Sequence, residues 1–214
     1  MSIDDGSTRA RYPWVARVAA IGFIVATVGL LAWTAIGSDS EADSADVSGT
    51  GPSGDEIANS IELPPDLGPM PELVDISGWL NTDATNFDEV RSEVTIVQFW
   101  TFGCSNCKAT LPHLQELYTK RHDEGLEIIG VHAHEFDHER EPDNVAEAVD
   151  DLGVVWPVAL DTNKTSFVQW QGSPRYWPRT YVIDSENRIR FDHIGEGAYN
   201  ELEATVEYLL AEQA

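Results

Sequence analysis

The sequence predicts an α/β fold: one central mixed sheet with helices on both of its faces. Three observations carry this. Short, apolar, Val/Ile-rich runs at residues 94–100 and 126–133 alternate with helical segments of amphipathic pattern. Two further runs, 180–184 and 188–194, flank a turn containing Asn187, the pattern of an antiparallel hairpin. A last helical segment at 200–211 carries Leu202, Val206, Leu209 and Leu210 as one stripe. Strands joined through helices run parallel and a hairpin adds an antiparallel pair, so the sheet is mixed and needs cover on both faces.

In chain order, the folded part is expected to begin near Met70. The run at 94–100 reads as a buried strand. Residues 104–124 read as a helix whose apolar stripe is Leu111, Leu114, Leu117 and Tyr118, and 126–133 as a second buried strand. Pro142 leads into another helix, with Asn144 and Glu147 as a capping box and Val145, Val149 and Leu152 on one face. A short strand at 157–160 and a helical turn at 166–170 precede the hairpin.

At 214 residues the chain holds one such domain plus accessory segments. Its net charge of -24 repels nucleic acid and anionic membrane surfaces, and excludes nucleic acid as a partner. Only three of the thirteen basic residues are lysine. Such a surface suits high salt, where self-repulsion is screened. A secreted protein from a lineage that favours arginine has the same composition.

Residues 18–36 form an uncharged apolar run long enough to cross a bilayer as a helix. Arg9, Arg11 and Arg17 precede it, and no Lys or Arg follows until Arg91. That asymmetry places residues 1–17 in the cytoplasm and the rest outside. A cleavable signal is the rival, with Ala35 and Gly37 as small cleavage-site residues, but the run is longer than a usual signal core. No cysteine stands just after it, which excludes a lipoprotein anchor. Residues 37–69, rich in Ser, Gly, Asp, Glu and Pro, read as an acidic flexible linker that holds the 70–214 domain off the membrane.

The chain has two cysteines, Cys104 and Cys107, and they directly follow the first buried strand at the start of the helix. A helix N-terminus offers unpaired N–H groups and a positive dipole end, which favour a sulfur anion at Cys104. The two-residue gap lets Cys107 close a disulfide or resolve a mixed one. Half of a zinc site would look the same locally, but the chain has no second such pair.

Phe99-Trp100-Thr101-Phe102-Gly103-Cys104-Ser105-Asn106-Cys107-Lys108 resembles the active-site stretch of the thioredoxin-like superfamily. Pro112 sits where that superfamily kinks the active-site helix. Tyr176-Trp177-Pro178-Arg179-Thr180-Tyr181-Val182-Ile183-Asp184 resembles its cis-proline segment, which leads into the third core strand. The TlpA-like thiol–disulfide oxidoreductases are the nearest group, especially the extracytoplasmic C-terminal domain of DipZ-type proteins, with further likeness at 76–82, 130–136 and 188–199. The resemblance covers about residue 70 onward. It implies a thioredoxin fold with a TlpA-like insertion, an extra helix and strand between Cys107 and Pro178. It also implies Cys104 as the exposed nucleophile and Cys107 as the buried resolving thiol. Pro178, in cis, would set the Trp177 backbone beside Cys104 to pair with a client segment. No cofactor is implied beyond the redox-active Cys104–Cys107 disulfide.

One position departs from the family. Six residues before the first cysteine, where a buried carboxylate often stands, this chain has Gln98. Glutamine exchanges no proton near neutral pH, so the family's usual proton acceptor for Cys107 is missing or replaced. Glu135, following a strand that ends near the motif, is the candidate; a solvated loop carboxylate is the bland alternative.

Other signals are weaker. His134-Glu135-Phe136-Asp137-His138 spells a zinc-protease pattern, which works only on a helix; here it follows a strand and precedes Pro142. His132 and His134 together with the two cysteines offer a copper-binding set. Arg175 and Arg179 bracket Pro178, Arg179 being the candidate substrate contact, against the alternative of a surface ion pair. Trp170, Tyr176, Trp177 and Phe102 are candidates for an apolar rim that receives unfolded chain.

These readings converge on a membrane-anchored, extracytoplasmic dithiol–disulfide exchange enzyme. Its expected partners are client protein thiols or disulfides and an integral membrane thiol carrier as electron donor. The resemblance implies a reductase, for example of cytochrome c precursors; an oxidase or isomerase is the alternative within the fold. A copper-binding assembly protein and a thioredoxin-fold interaction domain are the alternatives from other classes.

Overall fold

A computed structural model of the chain describes residues 63–213. The apolar run at 18–36 and the acidic stretch through residue 62 lie outside the described residues. Among the described residues no helix is long and apolar enough to cross a membrane.

The elements are β1 (Trp79–Leu80), α1 (Phe87–Val90), β2 (Val94–Trp100), α2 (Ser105–Arg121), β3 (Leu126–His132), α3 (Pro142–Asp151), β4 (Val158–Leu160), α4 (Thr165–Gln171), β5 (Arg179–Ile183), β6 (Ile189–Ile194) and α5 (Tyr199–Glu212). Single 3-10 turns at His122–Glu124 and Asp137–Arg140 follow α2 and β3. The six strands form one sheet in the order β1-β4-β3-β2-β5-β6. β2, β3 and β4 are parallel, while β1, β5 and β6 join antiparallel. This is the mixed sheet expected, and α3 with β4 supply the extra helix and strand before Pro178.

β2 is the hub because every one of its residues is buried. Its side chains alternate between faces, as strand geometry requires. Val94, Ile96 and Trp100 pack with Leu111, Leu114 and Leu117 of α2, Val145 and Val149 of α3, and Leu202, Val206 and Leu209 of α5. Val97 and Phe99 pack on the other face with Phe87 and Val90 of α1 and Phe167 and Trp170 of α4. At about 25 cal/mol per Å² of apolar surface removed from water, these two layers supply the main drive for folding.

The capping box expected at Asn144 does not form. Pro142, with its φ preset for helix, opens α3 two residues earlier, and Glu141 is the N-cap. Asn144 Nδ2 instead donates to the His138 carbonyl at 2.7 Å. Residues expected to be spacer also reach the sheet. Leu67 N–H donates to Ile189 O at 2.9 Å, and Ile189 N–H to Gly68 O at 2.8 Å. Arg188 pairs with Asp66, and Arg190 donates to the Pro64 and Pro65 carbonyls. Main-chain bonding to the β6 edge thus begins before residue 70.

Candidate active site

β2 lies between β3 and β5, with β3 parallel and β5 antiparallel to it. The C-terminal end of β2 is therefore flanked by the loop leaving β3 on one side and the segment entering β5 on the other. The turn Thr101–Gly103 carries the chain from β2 into α2 between those walls.

Cys104 is the N-cap of α2, with extended backbone at φ -74 and ψ 120. Its Sγ accepts the N–H of Cys107 at 3.3 Å, one of the donors that a helix start leaves unpaired. Cys104 is partly exposed and Cys107 fully buried. Burial pushes the Cys107 thiol far up; the Cys104 sulfur and the charge of Glu135 push the same way, and a hydrogen bond from the Thr101 backbone opposes them. Pro112 lies inside α2 without ending it.

Gln98 faces α2 and is 2 % exposed. Its Nε2 donates to Thr110 Oγ1 at 3.0 Å and to Thr180 Oγ1 at 3.2 Å. Thr110 in turn donates to the Cys107 carbonyl at 2.7 Å. A neutral hydrogen-bonded network thus stands where a buried carboxylate was the expectation.

The Trp177–Pro178 bond is cis, as is Ser173–Pro174. Pro178 is buried, and its carbonyl accepts from Gly195 N at 2.8 Å. Trp177 stacks on Phe167 with centroids 4.4 Å apart. Among the described residues neither the N–H nor the C=O of Trp177 has a main-chain partner. Trp177 and Cys104 pack at the border of the same core layer.

Arg179 turns away from this cluster in its bonding: Nε and a terminal nitrogen fork onto the carboxylate of Asp192 at 2.7 and 2.6 Å. Arg175 donates to the Gly172 carbonyl. Trp170 belongs to the core rather than a rim, while Tyr176 is exposed. Glu135 is exposed on the loop after β3. His134 and His138 fall on that loop and on a 3-10 turn, so they lack the shared α-helical face a zinc-protease motif requires. Among the described residues no group of three or more His, Cys, Asp or Glu side chains is arranged to hold a metal ion. His132 is buried, with Nε2 3.3 Å from Thr101 Oγ1 and its ring stacked on Phe102.

Two fully buried carboxylates, Glu139 and Asp161, escaped the sequence reading. Glu139, fully buried, accepts the N–H groups of Glu135 at 2.7 Å and Phe136 at 2.9 Å through Oε2. Its only local signal is a Glu three residues after Phe136, and charged residues are rarely buried.

Comparison with known proteins agrees with this geometry. Residues 72–192 match the AhpC/TSA family. The chain is 38 % identical over 146 residues to protein DipZ of Mycobacterium tuberculosis, covering 67 % of this chain and 21 % of DipZ. It thus spans about a fifth of the length of that relative. It is 27 % identical over 144 residues to the Bacillus subtilis thiol-disulfide oxidoreductase YkuV, covering 67 % of this chain and 95 % of YkuV. The solution structure of a thioredoxin-like protein in the oxidised form superposes with a TM-score of 0.58 at 27 % identity, over 67 % of this chain and 95 % of the other. With a thioredoxin-like sheet, a Cys-x-x-Cys at the start of α2 and a matched span of more than half its length, this chain belongs to the AhpC/TSA family.

Proposed function

We propose that the chain is a thiol–disulfide oxidoreductase that works outside the cytoplasm, tethered by residues 18–36, and reduces protein disulfides such as those of cytochrome c precursors. The observation that carries the exchange chemistry is the contrast between its two sulfurs. Cys104 is reachable at a helix N-terminus, while Cys107 is buried one turn inside with its thiol pushed up by that burial.

The steps balance as follows. The Cys104 sulfur attacks one sulfur of a client disulfide; the client S–S bond breaks, and its other sulfur leaves as a thiolate and takes up a proton. Cys107 then loses its proton and attacks Cys104, releasing the second client thiol. The client gains two electrons and the cysteine pair becomes a disulfide, which a membrane thiol carrier reduces again. Trp177 contributes its free main-chain groups to the client, beside Pro178. Gln98 takes no proton, so Glu135, at the solvent edge, is assigned the proton of Cys107.

The full chain is expected to catalyse insulin disulfide reduction with dithiothreitol as electron donor, and to lose this in Cys104→Ser. Wild-type protein without activity would leave the interaction-domain reading in its place. A Cys104–Cys107 potential more reducing than about -200 mV fits the reductase; a strongly oxidising couple fits an oxidase. Glu135→Gln should slow release of the second client thiol, and an unchanged rate would remove Glu135 from the proton path.

A further inference from the structure

Glu139 is an unusual residue to find beneath the site. It is fully buried, yet it pairs with no Arg or Lys among the described ion pairs. A buried carboxylate without such a partner is unfavourable unless hydrogen bonds take over. Here the N–H groups of Glu135 and Phe136 converge on Oε2. The other oxygen, Oε1, is buried without a hydrogen bond of good geometry. It lies against Gly103, so close that a Cβ there would collide with it. Burial pushes the carboxyl up, but the Phe136 and Glu135 N–H groups, with the Thr101 hydroxyl and Gly103 N–H beside it, outweigh that and hold it below the usual range.

The carboxylate therefore sits between two surfaces. On one side is the loop leaving β3, on the other the turn that delivers Cys104. Phe136 rides on that loop with 53 % of its surface exposed, and its ring edge comes within 3.8 Å of where a Cβ on Gly103 would stand. Its ring stacks on the neighbouring His138 with centroids 6.1 Å apart and leaves its remaining surface open beside the turn. A client joined to Cys104 through a disulfide must lay its flanking residues over this neighbourhood.

We infer that Glu139 is a positioning residue which clamps the Glu135–Phe136 loop to the Thr101–Gly103 turn, and that Phe136, so placed, contacts the apolar residues flanking the client's cysteine. This rests on the thiol–disulfide reading. Glu139 touches no client; it acts through Phe136. Gly103 is required because any larger residue would displace the carboxylate.

The test is insulin reduction by the full chain with dithiothreitol as donor, read as KM and kcat separately. Loss of an aromatic contact that is equal in ground and transition states raises KM alone. Phe136→Ala should raise KM about fivefold with a much smaller change in kcat, and Glu139→Gln should do the same. The double variant should be no worse than either single one, because both act on the same contact. The amides of Glu135 and Phe136 should exchange with deuterium slowly in the unaltered protein, despite their exposed loop. An unchanged KM in Phe136→Ala, additive effects in the double variant, or fast exchange of both amides would overturn the proposal. Failure of the underlying reading looks different. The wild-type chain would then reduce neither insulin nor glutathione disulfide, and this proposal would fall with it.

Discussion

The indole Nε1 of Trp177 donates to the main-chain carbonyl of Ala133 at 2.8 Å. This bond runs from the segment entering β5 to the loop leaving β3, across the end of β2 where the cysteines begin. It ties together the two walls that flank the turn leading to Cys104. Trp177→Phe should retain the stack on Phe167 and lose only this bond. Ala133 is fully buried, so its carbonyl would be left without a partner. The expected cost is about 2 kcal/mol, or about 6 °C in Tm for a domain of this size. An unchanged Tm would mean that the two walls are held by packing alone.

Gln98→Asp restores the family's carboxylate inside a network built for an amide. Thr110 already donates its hydroxyl hydrogen to the Cys107 carbonyl, so an aspartate would compete for it. Stability should fall by about 2 kcal/mol, measured by urea unfolding. The exchange rate at Cys107 should rise, because a nearby base removes the proton that burial holds on that thiol. A rate that does not change would show that another group already performs this step.

His132 makes stability depend on acid. Burial lowers its pKa to about 4, with the charge of Glu139 opposing the shift. In the unfolded chain it titrates near its ordinary value of 6.5. Between those values the unfolded chain binds a proton that the folded one refuses, so stability falls as pH drops through this window. The loss should reach about 2 kcal/mol on going from pH 7 to pH 5. His132→Phe should flatten that slope, because the apolar ring can still stack on Phe102. An identical slope in the variant would place the acid sensitivity elsewhere.

Salt should act in the opposite sense. Screening of carboxylate repulsion in a chain of net charge -24 should raise the unfolding midpoint between low and molar salt. A midpoint that does not move would remove the high-salt adaptation without touching the exchange chemistry.

Elements that declare themselves locally were readable from the residues. Val94–Trp100 is mostly apolar because it is buried on both faces, and Cys104 at the head of α2 follows it after a three-residue turn. What depends on a partner from elsewhere was not readable. Trp79–Leu80 is a strand of two residues, too short for any periodicity, and it exists because β4 pairs with it at Ala159 and Val158. The four-residue helix Phe87–Val90 had a signal, Asn86 accepting from Glu89 N, but no apolar stripe to draw attention to it. Gln98 was noticed as a departure, yet Thr110 and Thr180 come from two other elements, and only the fold brings them to it. Glu139 escapes a local reading because sequence alone cannot say which of two nearby carboxylates, Glu135 or Glu139, turns inward. The 3-10 turn at Asp137–Arg140 decides that.

Two sulfurs with different tasks should behave differently when one of them is removed, and trapping reads that difference. Cys107→Ser in the full chain removes the resolving thiol, so the attack by Cys104 should stop at a mixed disulfide. A covalent complex between Cys104 and a client should accumulate, separate on a gel, and disappear with dithiothreitol. Mass spectrometry of that complex would place the bond and identify the client. Cys104→Ser should trap far less, because Cys107 is buried out of reach of a folded partner. Efficient trapping by Cys104→Ser with none by Cys107→Ser would contradict the account, since the buried sulfur would then be the nucleophile.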